Sequence, residues 1–219
     1  MDIEFIINSL PLYLKAARLT LTLSGISVLF SLIVGFLCSL IIYYKVKVLQ
    51  RIVKIYIELS RNTPLLIQLF FLYYGLTRIG IKLEAQTCAI AGLTFLGGSY
   101  MEEAFRSGLE AVGRNQIESG LSIGLTSFQL IRYVVFPQAL SIALPALGAN
   151  TIFLIKETSI VSAIALADLM FVAKDLIGMY YSTFEALLML VAFYLVILLP
   201  ISLLLSYAER RLRHAQFGN

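Results

Sequence analysis

Two adjacent carboxylates, Glu102 and Glu103, close an otherwise uncharged stretch that begins near Ala85. A carboxylate at the centre of a bilayer costs on the order of 2.5 to 3.5 kcal/mol, so it is normally placed to do something. Two uses are open. Arg106 lies at helical pairing distance from both and could form a local ion pair; alternatively, one carboxylate faces a cavity and meets a ligand cation. Counting from Ala85 puts Glu103 about 27 Å along a helix, nearer a membrane boundary than the midplane. Upstream, Thr94, Gly97, Gly98 and Met101 recur at three- and four-residue steps, with Tyr100 among them. Such a face of small groups could let a ligand approach the backbone, or could serve close helix packing. Glu157 and Asp168 are further candidates for a cationic ligand. Lys156 and Lys174 could instead neutralise them, and Asp168 could cap a short helix.

Other chemistries lack material. His214 is the sole histidine and falls in a basic tail, so neither a proton relay, a metal site nor a Ser/His pair can be assembled. Cys38 and Cys88 lie in apolar stretches without metal-ligand or redox spacing and are expected to be packing residues. No Gly-x4-Gly-Lys-Ser/Thr loop is present to cradle phosphates. No cofactor is expected, and nothing supports nucleic-acid binding.

The elements that must position these residues are set by composition. Of 219 residues, 59% are hydrophobic and 14% charged, with a mean hydropathy of +0.88. A soluble domain carries roughly 25% charged residues, so this chain is read as an all-α integral membrane protein. A helix crossing a hydrocarbon core of roughly 30 Å needs about 20 apolar residues. Five stretches qualify, at about 19–44, 57–77, 85–108, 133–155 and 183–207. Counted by alternating sides, 11 of the 17 basic residues fall on one side, among them Lys45, Lys54, Arg61, Arg106 and the tail arginines. Positive loops stay in the cytoplasm, which predicts an external amino terminus and a cytoplasmic carboxyl terminus. The opening Met1-Asp2-Ile3-Glu4 carries acid where a secretory signal carries base, so no cleaved leader is expected.

Between Glu102 and Arg132 the chain carries seven charges among four glycines, too polar for lipid and too long for a turn. A folded cytoplasmic element is expected over about 109–132. Ile117, Leu121, Ile123, Leu125, Phe128 and Ile131 recur there as on short amphipathic helices with a docking face, or as on a helix lying on the lipid surface. The apolar stretch 156–182 is expected to hold a short helix partly returned into the protein. Pro137 and Pro145 weaken the fourth span, as a gate or as static kinks.

Within the polar insert, Glu118-Ser119-Gly120 is followed after three residues by Gly124 and after nine more by Val134-Val135-Phe136-Pro137. This resembles the EAA signature of ABC-importer permeases. Ser119 and Gly120 replace two alanines and keep them small. Further blocks, Arg61 to Gln68, Tyr100 to Arg106, Phe136 to Ala139, Leu144 to Leu147 and Lys156 to Ser159, are similar to the polar amino acid uptake permeases, over about residues 19–211. Asn115 departs from the usual glycine.

That resemblance implies the type I ABC importer permease architecture: five transmembrane helices with a cytoplasmic coupling helix, in the bacterial cytoplasmic membrane. It implies two cytoplasmic ATP-binding subunits, a second permease copy, with a homodimer expected, and an external substrate-binding protein. Glu118, Ser119, Gly120, Gly124 and Leu125 would couple to the ATPases. The cargo would be a polar amino acid, and the acids near the path favour a basic one, with glutamine open. An ion-coupled secondary transporter or channel subunit is the alternative, but no internal repeat supports it.

Overall fold

The computed structural model describes residues 2–217, with side chains described as far as Leu212, so Arg213 and His214 of the tail lie outside the described side chains. The described residues form helices and connecting turns, with no strand among them. We number the helices α1 (Ile3–Tyr43), α2 (Lys47–Asn62), α3 (Leu65–Arg78), α4 (Ala85–Ala111), α5 (Arg114–Ser122), α6 (Ser127–Ile164), α7 (Leu169–Tyr180) and α8 (Thr183–Phe217). Of these, α1, α6 and α8 are long and apolar enough to cross a membrane by themselves.

The first helix begins well before the expected residue 19. Asp2 caps it by accepting a hydrogen bond from the Phe5 amide at 3.0 Å, and no residue up to Tyr43 stops it. Lys15 and Arg18 interrupt the hydropathy without interrupting the helix, since both are good helix formers. At 41 residues α1 is roughly 60 Å long, about twice the hydrocarbon core. Its first third carries Tyr13, Ala16 and Ala17 against α7 and α8, and the Tyr13 hydroxyl donates to the Ala186 carbonyl at 2.7 Å.

Farther along α1 the usual polarity is inverted. Thr20, Ser24, Ser27, Ser31, Gly35 and Ser39 are buried, whereas Leu21, Leu29, Phe30, Ile33 and Leu37 are exposed. Lipid removes the reason to hide large apolar groups, so helix contacts go to small residues that let backbones approach. A Cβ at Gly35 would stand 2.5 Å from the Met101 Cβ and 2.7 Å from the Glu102 nitrogen, which shows how closely α1 meets α4.

The expected second span is two helices. Pro64 forces Thr63 out of the helical region (φ −117°, ψ 124°), separating α2 from α3. Gln68, at the break, donates to the carbonyls of Ser60 at 3.0 Å and Thr63 at 2.9 Å, which receives carbonyls the break releases. Each of α3 and α6 also contains a π-helical turn, at Phe71–Gly75 and Ile131–Val135.

Helix α4 is the spine. It packs on α1, α3 and α6 through Cys88, Ala89, Leu93, Leu96 and Met101. The last turns of α6, of 3-10 type over Thr158–Ile164, bury Val161 and Ile164, and α7 buries Leu169, Ala173 and Leu176, so the stretch between Lys156 and Ser182 is folded back into the protein.

Candidate functional site

The candidates on α4 point in different directions, because successive helical residues are rotated by about 100°. Thr94 lies toward α1 and α2, and its hydroxyl has no hydrogen-bond partner among the described residues. A Cβ at Gly97 would meet the Leu154 side chain of α6 at 2.5 Å. One at Gly98 would meet the Tyr56 hydroxyl of α2 at 2.5 Å. Met101 is fully buried. In this conformation none of Gly97, Gly98 and Met101 faces open space, and the glycines admit neighbouring helices.

Tyr100 and Glu103 are brought together with residues the sequence did not single out for binding. The Arg61 side chain, from the end of α2, donates to Glu103 Oε2 at 2.6 Å and lays its guanidinium 4.9 Å from the centre of the Tyr100 ring. From α6, Asn150 donates to the Tyr100 carbonyl at 3.0 Å, and Phe153 meets the Tyr100 ring edge-on with centroids 5.3 Å apart. Three helices thus contribute one cluster: a cation, a carboxylate, an amide and two aromatic rings. The Arg61 and Glu103 side chains are 25% and 53% exposed, so the pair is open on the Glu103 side, while the Arg61 guanidinium also donates to the Ser99 carbonyl. In the sequence Arg61 reads as a topology charge and as the first residue of a family-like block, and not as the partner of Glu103, which is 42 residues away.

Arg106 takes the other carboxylate. It contacts Glu102 and Glu110, each at 3.1 Å, along one face of α4. The two adjacent glutamates therefore have separate fates, Glu102 buried in a local ladder and Glu103 open and paired across helices.

Glu157 stands on α6, one turn beyond Phe153 and seven residues beyond Asn150, which places it on the same helix face. Asp168 is elsewhere. It caps α7, accepting from the Phe171 amide at 2.9 Å, is fully buried, and leaves Oδ2 without a hydrogen bond. Burial pushes its carboxyl up to about 6, against the opposing pull of the Phe171, Met170 and own amides and of Lys174.

The insert after α4 forms a second candidate surface. Val112, Leu109, Leu130, Val135 and Ala139 make a small core under α5, to which Ile117 and Leu125 are packed. Gly120 is buried there, and a Cβ would stand 2.5 Å from Leu130 Cδ1, so the motif's small residue is a steric requirement. Gly124 turns the chain with φ +84°, a left-handed conformation that suits glycine. It brings the Leu125 amide to the Gly120 carbonyl at 3.1 Å. Thr126 and Gln129 then form a capping box that restarts the helix. Glu118 and Ser119 are exposed, as are Leu121, Ile123 and Phe128, which leaves an apolar patch beside a carboxylate.

Comparison with known proteins covers nearly the whole chain. Residues 16–214 match the family described as binding-protein-dependent transport system inner membrane component. The probable amino-acid permease protein YxeN of Bacillus subtilis (strain 168) is 35% identical over 213 residues, covering 96% of this chain and 95% of that protein. The nopaline transport system permease protein NocM of Agrobacterium fabrum is 35% identical over 219 residues, covering 95% and 91%. The glutamine transport system permease protein GlnP of Escherichia coli (strain K12) is 29% identical, covering 94% of each. A crystal structure described as an amino acid ABC transporter with histidines aligns with a TM-score of 0.88 at 35% identity, over 96% of this chain and 99% of that one. The MetNI methionine ABC transporter in an inward-facing conformation aligns at 0.79 with 19% identity, over 97% and 99%, a likeness of fold.

Proposed function

Because this chain belongs to the family of binding-protein-dependent transport system inner membrane components, we propose that the cluster of Arg61, Tyr100, Glu103, Asn150 and Phe153 receives the zwitterionic group of an amino acid. The chain is the permease subunit of an amino acid ABC importer and not itself an enzyme; ATP hydrolysis belongs to a separate subunit. The observation that carries the proposal is the open Arg61–Glu103 pair. Glu103 is exposed, where an ion pair is worth about 0–1 kcal/mol, so a ligand ammonium can take the place of Arg61 there at little cost while Arg61 stays anchored on the Ser99 carbonyl. Arg61 would take the carboxylate, with its fork matched to two oxygens, and Glu103 the ammonium. The Tyr100 and Phe153 rings flank the pair, and Asn150 holds the Tyr100 backbone.

Glu157 is the added carboxylate of this face, which favours a basic amino acid; without its participation a polar neutral one such as glutamine would suffice. Gly97, Gly98 and Met101 act behind the site, fixing α4 against its neighbours, and Thr94 faces the adjoining seam. Asp168 orders α7 at the outer end.

In this reading there are five spans, within α1, α2 with α3, α4, α6 and α8, and the excess of basic residues on one side supports an external amino terminus and a cytoplasmic carboxyl terminus. A second copy, expected as a homodimer, closes the path; two ATP-binding subunits dock on 109–132 and a binding protein delivers the substrate from outside. Glu118, Ser119, Gly120, Gly124 and Leu125 transmit ATPase closure, with Leu121, Ile123 and Phe128 as the apolar contact. Coupling of this kind requires that the contact differ between two states.

Uptake of labelled arginine and glutamine by the reconstituted importer tests the site. Arg61→Gln and Glu103→Gln should each lower uptake tenfold or more while the assembly stays intact on gel filtration. Full uptake by both variants would remove the site assignment and leave the family membership standing.

A further inference from the structure

A cleft of about 600 Å³ adjoins the Arg61–Glu103 pair where α2 faces α4. It runs from Arg61 past Glu58 and Lys54 to Lys45 at the α1–α2 turn, with Ile42 and Ile57 as its apolar edge. On its α4 wall Arg106 holds Glu102 and Glu110, each at 3.1 Å, so those three groups answer one another. The α2 wall is different. Lys54, Glu58 and Arg61 follow at steps of four and three residues, so they share one helix face and their signs alternate along it. Neither Lys54 nor Glu58 makes an ion pair among the described residues, and both are exposed. Glu58 accepts from the neutral Asn62 side-chain amide at 3.0 Å.

With Glu103 counted beside Arg61, basic and acidic side chains around the cleft are equal in number. A balanced cleft selects neither a free anion nor a free cation, since either would leave a charge unanswered. A zwitterion keeps the balance. Lys54 and Glu58 stand about 6 Å apart along the helix axis, a gap that a carboxylate and an ammonium on one carbon bridge with a hydrogen bond at each end.

We propose that this cleft is a second amino acid station, between the Arg61–Glu103 site and the cytoplasm, in which Lys54 takes the carboxylate and Glu58 the ammonium. It rests on the reading of Arg61 and Glu103 as the first station. On leaving that station the ammonium passes from Glu103 to Glu58, and the carboxylate from Arg61 to Lys54, two turns along α2. Lys45 then draws the carboxylate to the mouth. Because Lys54 and Glu58 read only the charges common to all amino acids, arginine and glutamine are held alike. Both groups are exposed, so the station binds roughly tenfold or more weakly than one built on the anchored Arg61, as an exit requires.

Saturation-transfer NMR titration of arginine against the intact importer, purified without its binding protein, tests this. Two classes of site should appear, the weaker shared equally by glutamine. Lys54→Gln with Glu58→Gln should abolish the weaker class. The charge exchange Lys54→Glu with Glu58→Lys should retain it, which assigns the loss to charge and not to folding. Agmatine, which lacks the carboxylate, and Nα-acetylarginine, which lacks the α-ammonium, should each lose the weaker site tenfold or more. Absence of any class that is lost with Lys54 and Glu58 would overturn the proposal. So would a weaker class that takes agmatine as well as arginine, which would mean an acidic surface only. Arg61→Gln with Glu103→Gln should remove the stronger class and leave the weaker. A stronger class intact in that variant would end the first-station reading, while a weaker class still lost with Lys54 and Glu58 would keep the cleft as an amino acid site.

Discussion

Glu102 and Glu103 are neighbours in sequence but differ in what they can do. Glu102 is 1% exposed and its ion pair with Arg106 lies within one helix, whereas the Glu103 pair bridges α2 and α4 and is open. Stripping a fully buried charge of its partner costs up to about 3–5 kcal/mol; Arg106 is itself 30% exposed, which lowers that figure, but the buried Glu102 still loses more than an exposed carboxylate would. Glu102 is therefore built for structure, and Glu103 is free to exchange its partner. Asp168 shows a third fate. Its carboxyl, raised by burial to about 6, lies above the unfolded value of about 3.9, so the folded chain holds this proton more tightly than the unfolded chain between those limits. Stability contributed by Asp168 is present at low pH and falls as pH rises from about 4 to about 6. Thermal unfolding of the detergent-solubilised chain should show this fall, and Asp168→Asn, which can still cap α7, should flatten it. An unaltered pH profile in the variant would assign the dependence to other groups.

Among the elements, α5 and its glycines carry the most specific requirement. Because a side chain at Gly120 would collide with Leu130, Gly120→Leu must lift α5 from its base on Leu109, Val112 and Val135. Overpacking of this kind costs typically 1–3 kcal/mol. We expect the variant to assemble more weakly with its ATPase and to lose most substrate-stimulated ATP hydrolysis, whereas Gly120→Ala should retain more. Equal activity of the two, measured in vesicles, would detach α5 from coupling. The motif made this element legible, since its spacing survives every local substitution. Other features were not legible. The early start of α1 is hidden because Lys15 and Arg18 lower the hydropathy of a helix whose backbone continues unbroken. The hydroxyl stripe of α1 reads as mild polarity until its partner α4 is known. The cluster around Tyr100 draws on three helices, and nothing local to Arg61 or Asn150 announces partners 42 and 50 residues away. The cap at Asp168, by contrast, is one of the three readings the sequence offers, because capping is a local interaction.

At the scale of the whole molecule, scarce charge is placed with economy. It marks the ends of helices, the open pair at the candidate site, the lysines of the α1–α2 turn and the insert below α4. Large apolar residues face outward while serines and glycines hold the interior, which is the arrangement expected of a chain whose solvent is lipid. ATP hydrolysis by a separate subunit supplies the energy of such an importer, and under the proposed function the permease passes it from the insert to the candidate site. Reconstitution of the permease with its ATP-binding subunits and binding protein, followed by labelled amino acid accumulation against a gradient, tests this account most directly. Accumulation should require ATP and the binding protein and survive collapse of the proton and sodium gradients. Accumulation by the permease alone, driven by an ion gradient and indifferent to ATP, would contradict it.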